Sequence, residues 1–264
     1  MSSRFTYHHP RHTLQPSRTM LLSALLTVVL TLAACANAGG ARGATSSART
    51  PTVAPASGVR YVALGASDAV GVGATDPNTT AYVPILISRL PKNSAALNLG
   101  ISGETLSQAL KDELPQAIAE KPTLITVWLV GNDFKNCVPL AQYTADLNTL
   151  LTQLQQQTHA HVFVANAPDF SALPAVQQQA ASGSFCGAPG SLASVRALAQ
   201  QWNQAIDASV AAHHDTLIDL FNSDLSTHAD YVSGDGFHPS DQGYLALANL
   251  FWAQISAQHA AQAA

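Results

Sequence analysis

The chain is short of charge, of cysteine and of long apolar runs, and each shortage narrows what it can be. Charged residues make up only 11% of the sequence. Beyond position 60, six basic residues stand against sixteen acidic ones, so residues 61–264 carry a net charge of −10. A domain of that sign is repelled by phosphate backbones and anionic lipid surfaces, which argues against nucleic acid as a partner. The three cysteines show no C-x-x-C spacing, so a zinc site has no support, and neither metal nor cofactor is expected. A single stretch, residues 20–35, is strongly apolar, and it is short for a bilayer span. No internal repeat is apparent. At 47% hydrophobic, 264 residues parse as one core-bearing domain behind an N-terminal extension.

The extension contains no acidic residue at all. Arg4, Arg11 and Arg18 precede the apolar segment from Met20 to Cys35, which ends in small residues, the pattern of an export signal. Leu32-Ala33-Ala34-Cys35 also resembles a bacterial lipobox, which implies cleavage before Cys35 and lipid attachment to its thiol. The alternative is an ordinary signal peptide that happens to contain a cysteine. Residues 36–58 are almost entirely Ala, Gly, Ser, Thr, Pro and Arg, too poor in large apolar side chains to pack, and read as a flexible tether. The parse is therefore signal over 1–35, tether over 36–58 and folded domain over 59–264. The protein is expected to be exported, held on the cell surface or in the periplasm by lipid on Cys35, or else secreted, and to touch membrane only through that anchor. Setting Cys35 aside leaves Cys137 and Cys186, an even number in an oxidising compartment, and these are expected to pair. A monomer is expected.

Within the domain, short apolar runs alternate with amphipathic stretches. Val62 to Gly65, Ala95 to Leu99, Thr123 to Val130, Val162 to Ala165 and Thr216 to Phe221 read as strands, the third as a central strand covered on both faces. Between them, helical spacing predicts helices over Thr80 to Leu90, from Ser102 and Glu104 through Leu114, over Leu140 to Leu154, over Leu192 to Val210 and over Tyr244 to Ile255. Asn166 to about Gly190 reads as a long loop. Alternation of this kind argues for a parallel sheet with helices on both faces.

In such a sheet the strand-to-helix loops open on one edge, where ligands bind. Ser67 follows the first strand, Gly100 the second, Gly131-Asn132-Asp133 the third, and Asp235-Gly236-Phe237-His238 precedes the last helix. Ser and Asp are common cap residues, so the first loop alone says little. Together the loops supply what acyl transfer needs. The serine is a nucleophile, His238 can take its proton and return it to a leaving alcohol, and Asp235 can hold the imidazole and stabilise its cation. The candidate oxyanion donors are the backbone N–H groups of Ser67 and Gly100 and the side-chain amide of Asn132. Gly100 would leave room for substrate to approach, and Pro239 would begin the last helix. Trp128 reads as core, as do Trp202 and Trp252, and Asp133 as a cap.

Gly65-Ala66-Ser67-Asp68, Asn98-Leu99-Gly100, Gly131-Asn132-Asp133 and Asp235-Gly236-Phe237-His238 resemble, in order and spacing, the four blocks of the SGNH, or GDSL-type, hydrolases. The resemblance covers roughly residues 59–258. It implies a three-layer α/β/α sandwich on a five-stranded parallel sheet of flavodoxin-like type. It also implies a triad of Ser67, Asp235 and His238, an oxyanion hole of Ser67, Gly100 and Asn132, and cleavage of a small-molecule or lipid ester. One departure stands out: the usual Gly-Asp-Ser is Gly-Ala-Ser here, with the acid displaced to Asp68. A larger α/β-hydrolase is disfavoured, because its serine lies deep in the chain on a G-x-S-x-G turn. An acyltransferase using the same acyl-enzyme, and a tethered binding lipoprotein on the same scaffold, are the alternatives.

Overall fold

The computed structural model describes residues 58–261, so the expected signal segment with Cys35 and the expected tether up to residue 57 lie outside the described residues. Five strands form one parallel sheet: β1 (Arg60–Gly65), β2 (Ala95–Asn98), β3 (Leu124–Trp128), β4 (His161–Ala165) and β7 (Thr216–Ile218), in the order β2-β1-β3-β4-β7. The uncharged runs occupy the middle. Every residue of β3 is buried, and β1 and β4 are buried except at their first residues, whereas edge strand β2 is exposed. This is what covering both faces of a parallel sheet demands of its central strands.

The covering layers follow from helical spacing. On α2 (Tyr82–Arg89) the buried Tyr82, Val83 and Leu86 share a face, and on α9 (Asp241–Ala257) Tyr244, Leu247, Phe251 and Ile255 do. These two helices pack together, with the Tyr82 and Phe251 rings stacked at 5.5 Å. A second group is formed by α3 (Leu106–Asp112), α4 (Leu114–Ala119), α6 (Leu140–Gln157) and α8 (Leu192–Ala212). The buried stripes of α6 and α8, from Tyr143 to Leu154 and from Val195 to Val210, meet through Tyr143 and Trp202. Short helices α1 (Ser67–Val70) and α5 (Gly131–Lys135) follow β1 and β3 directly.

Three elements differ from the sequence expectation. The helix expected from Ser102 begins only at Leu106, because the Thr105 N–H and hydroxyl both donate to Gln108 Oε1 at 2.9 Å and set the start there. It also breaks at Glu113, since Pro115 has no N–H to return to the preceding turn. The expected loop over 166–190 holds α7 (Pro174–Ala180) and a two-stranded ribbon of β5 (Ser184–Phe185) and β6 (Ala188–Pro189). The ribbon turns through Cys186 and Gly187, both at positive φ, as a two-residue hairpin turn requires. Cys186 is joined there to Cys137 by a disulfide with a Cα–Cα distance of 5.1 Å. Finally, Pro239 precedes the last helix rather than starting it: Ser240 caps α9 by accepting from the Gly243 N–H at 3.2 Å.

Candidate active site

Strand β1 stops at Gly65, and the chain turns through Ala66 so that Ser67 becomes the first residue of α1. As the opening residue of a helix, Ser67 has a backbone N–H with no intrahelical partner. Gly71 ends this single turn at φ 93°, a conformation that glycine adopts without steric penalty. The Ser67 loop is then tied to the start of α9. Tyr244 donates its hydroxyl to the Val72 carbonyl at 2.6 Å, and the Asp241 carboxylate accepts from the Thr75 N–H at 2.8 Å and the Thr80 hydroxyl at 2.7 Å. Gly73, at φ 95°, lies against the loop that carries His238. A Cβ there would sit 2.6 Å from the Pro239 carbonyl oxygen and 3.0 Å from the His238 Cβ. The close approach of the two ends of the domain therefore depends on that missing side chain.

Across this junction His238 Nε2 is 2.8 Å from Ser67 Oγ, and His238 Nδ1 is 2.6 Å from Asp235 Oδ2. An ionised carboxylate only accepts, so the Asp235 contact places the proton on Nδ1 and leaves Nε2 as the acceptor for the serine hydroxyl. Asp235 is itself fixed: its Oδ1 accepts from the Phe237 N–H at 2.8 Å, the His238 N–H at 2.9 Å and the Ser233 hydroxyl at 2.9 Å. Partial burial works against its charge, but the hydrogen bonds from the imidazole, the two N–H groups and Ser233 outweigh it and hold the carboxyl well below the usual range. With its side chain 43% exposed, Asp235 is oriented by these bonds rather than by enclosure. Asp68 lies near both His238 and Asp235. Burial pushes its carboxyl up to about 6, with His238 opposing that rise and Asp235 adding to it.

The other two loops meet the Ser67 turn differently. Asn98 anchors the second, donating Nδ2–H to the Ala69 carbonyl at 2.6 Å and accepting the Gly100 N–H on Oδ1 at 3.1 Å. The Gly100 donor is thus engaged by Asn98. Glycine at 100 is also required by the packing of the turns themselves, since a Cβ would meet the Ala69 Cβ at 2.6 Å. On the third loop, Asn132 is buried and donates one Nδ2 hydrogen to the Glu104 carbonyl at 2.9 Å, which leaves its second hydrogen for another acceptor. Asp133 does cap, but across the chain: its Oδ2 accepts from the Leu106 N–H at the start of α3, at 2.9 Å.

Beside His238 and Asp68 opens an apolar pocket walled by Trp128, Phe170, Leu173, Leu225, Val232 and Phe237. Most of these residues come from segments between the regular elements, and only Trp128, as core, and Phe237, within the last sequence block, stood out in the sequence. Trp128 is buried, yet it lines the pocket, and its indole N–H has no acceptor among the described residues. Asp169 and Ser171 flank Phe170 but bond to one another, at 2.6 Å, and Asp169 pairs with Arg196. Among the described residues no cluster of three metal-ligating side chains occurs, and no helix is long and apolar enough to cross a membrane.

The same architecture occurs in solved structures of low sequence identity. A lipase/acylhydrolase from Enterococcus faecalis is 18% identical with a TM-score of 0.58, covering 75% of this chain and 96% of that one. The psychrotrophic esterase EstA from Pseudoalteromonas sp., in a form inhibited by monoethylphosphonate, is 16% identical with a TM-score of 0.59, covering 75% and 97%. Axe2, an acetylxylan esterase from Geobacillus stearothermophilus, is 19% identical with a TM-score of 0.56, covering 75% and 94%. Among curated proteins none matches. The model of the GDSL-like lipase/acylhydrolase family matches residues 63–246, which hold Ser67, Gly100, Asn132, Asp235 and His238 alike, and with most of the folded domain inside that match the chain belongs to this family of hydrolases.

Proposed function

We propose that the protein hydrolyses carboxylic esters through an acyl-Ser67 intermediate. The observation that carries this reading is the unbroken relay from Ser67 Oγ through both ring nitrogens of His238 to Asp235, beside an apolar pocket. In the forward step His238 Nε2 takes the hydroxyl proton while Ser67 Oγ bonds to the ester carbonyl carbon, and the carbonyl π electrons move to oxygen. The resulting oxyanion is received by the Ser67 N–H and the second Asn132 hydrogen, and by Gly100 once its N–H leaves Asn98. Collapse expels the alcohol, which receives the proton from His238, and a water activated by the same imidazole then releases the acid. Asp235 stabilises the imidazolium formed in both halves. The pocket wall of Phe170, Leu173, Leu225 and Val232 suits an apolar portion of the ester rather than a charged one. Export, with lipid on Cys35, is part of the same proposal. A Cys137–Cys186 disulfide supports an oxidising compartment.

A phosphonate inhibits the structurally similar EstA, and a fluorophosphonate is the matching probe here. Labelling of the purified protein followed by peptide mass analysis is expected to place one adduct on Ser67. An adduct elsewhere, or none, counts against the reading. Asn132→Ala is expected to lower kcat by about a hundred- to a thousandfold with little change in KM, because an oxyanion donor acts chiefly in the transition state. A change confined to KM would remove Asn132 from that role.

A further inference from the structure

The first block lacks the acid usual before the serine, yet a carboxyl reaches the same turn from elsewhere. Glu113 is wholly buried at the break between α3 and α4, and its Oε2 accepts the Gly65 N–H at 2.9 Å, two residues before Ser67. Its carboxyl neighbours that of Glu104, which is 4% exposed, closely enough for each to shift the other's hold on a proton. Glu104 in turn offers its backbone carbonyl to Asn132 Nδ2. Two neighbouring buried residues, Glu113 and Glu104, thus connect the turn bearing Ser67 to the loop bearing Asn132. Both oxygens of Glu104 and Oε1 of Glu113 are buried, and among the described residues no N–H or hydroxyl donates to them. The other groups facing this pair are acids too: the Asp112 carboxyl at the end of α3 and the buried Tyr82 hydroxyl from α2. Two neighbouring buried carboxyls cannot both stay ionised, and one proton shared between them would give their unpartnered oxygens a donor.

We propose that Glu113 is a positioning residue for Ser67, held in place by a proton it shares with Glu104, and that loss of this proton at alkaline pH loosens the Ser67 turn and the Asn132 loop together. The neutral acid suits the unpartnered oxygens: a hydroxyl on Glu113 Oε1 supplies the donor that Glu104 lacks, while Oε2, as the carbonyl oxygen, keeps the Gly65 N–H. Burial first, and then the neighbouring Glu104, push the Glu113 carboxyl up to about 9. A carboxyl whose folded value lies above its unfolded one contributes its full stabilisation below the ordinary 4.5. That contribution declines as pH rises, and is lost once pH passes through about 9. Glutamine at 113 reproduces the neutral acid permanently, since its amide oxygen can accept from Gly65 and its amide N–H can donate to Glu104.

The inference rests on the esterase reading only in using ester turnover as one of its measurements. Wild type, Glu113→Gln and Glu113→Ala are compared from neutral pH to well above 9, with kcat and KM for a p-nitrophenyl ester normalised to fluorophosphonate-reactive Ser67. Hydrogen exchange of peptides spanning residues 63–70, corrected for the intrinsic pH dependence of exchange, is followed in parallel. Wild type is expected to lose kcat and amide protection around pH 9 at constant KM. Glu113→Gln is expected to keep its neutral-pH kcat and to lose the alkaline fall. Glu113→Ala is expected to lower kcat by between about ten- and a hundredfold at every pH. Glu104→Gln, which can donate to an ionised Glu113, should also remove the alkaline fall and serves if Glu113→Gln does not fold. A wild-type profile flat through this range, or an unchanged fall in both glutamine variants, overturns the proposal. So does a fall in thermal stability alone with kcat per labelled site unmoved, which is what a merely structural pair would give. If Ser67→Ala hydrolyses the ester as wild type does, the esterase reading fails, and the exchange measurement still decides the role of Glu113.

Discussion

Ser67→Ala is expected to lower kcat by on the order of a millionfold, while leaving KM and the folded structure nearly unchanged. The substitution deletes one oxygen whose hydrogen bond is to His238 Nε2, in a residue already 7% exposed, so no new cavity of consequence forms. What it removes is the atom that bonds to the carbonyl carbon. The residual rate then comes from the oxyanion donors acting on the ester carbonyl oxygen while a water attacks its carbon. Because the imidazole acts through the hydroxyl, Ser67→Ala/His238→Ala is expected to be no slower than either single variant, the non-additivity of groups that work as one unit. The measurement is p-nitrophenyl ester hydrolysis by each variant, with fluorophosphonate titration to bound any wild-type contamination. A Ser67→Ala protein retaining a tenth of the activity, or a double variant far below both singles, would reject the acyl-serine route.

What the sequence made legible, and what it hid, divides along physical lines. The uncharged runs of β1 and β3 could be read directly, because a strand covered on both faces must be apolar throughout, and so could the stripes of α6, α8 and α9. The residue types in the strand-end loops could be read as chemistry, since a sheet of alternating β and α elements opens those loops on one edge. The means of bringing the loops together could not. Gly73 carries no sign in the sequence that a Cβ would strike Pro239, and nothing announces that Tyr244 and Asp241 reach back to Val72, Thr75 and Thr80. Glu113 was concealed by the regular spacing of Leu106, Leu110 and Leu114, which suggests one helix running through it. The only clue was Pro115, and it marks a break without saying where the carboxylate points. The ribbon at 184–189 depends on positive φ at Cys186, a residue type that does not advertise a hairpin turn. The pocket wall could not be assembled because Phe170, Leu173, Leu225 and Val232 lie outside the periodic stretches.

Asp235→Asn is expected to cost about ten-thousandfold in kcat, and the hydrogen bonds around the carboxylate say why. Three donors, the Phe237 and His238 N–H groups and the Ser233 hydroxyl, converge on Oδ1 and require an acceptor there. An asparagine side chain must therefore keep its carbonyl oxygen at that position, which turns its NH2 group toward His238 Nδ1 in place of Oδ2. A donor facing Nδ1 is tolerated only if that nitrogen gives up its proton. The imidazole must then carry hydrogen on Nε2, where it can no longer accept from Ser67. Asparagine thus preserves the loop and inverts the base. Asp235→Ala, which imposes no tautomer but leaves the two N–H groups unmet, should disturb the loop more and the proton position less. The distinguishing measurement is a 15N-resolved spectrum of the His238 ring alongside kcat. In wild type Nδ1 is protonated, and in Asp235→Asn the proton is expected on Nε2 with thermal stability close to wild type. A ring still protonated on Nδ1 in an inactive Asp235→Asn would mean that Asp235 serves by its charge on the imidazolium rather than by fixing which nitrogen holds the proton.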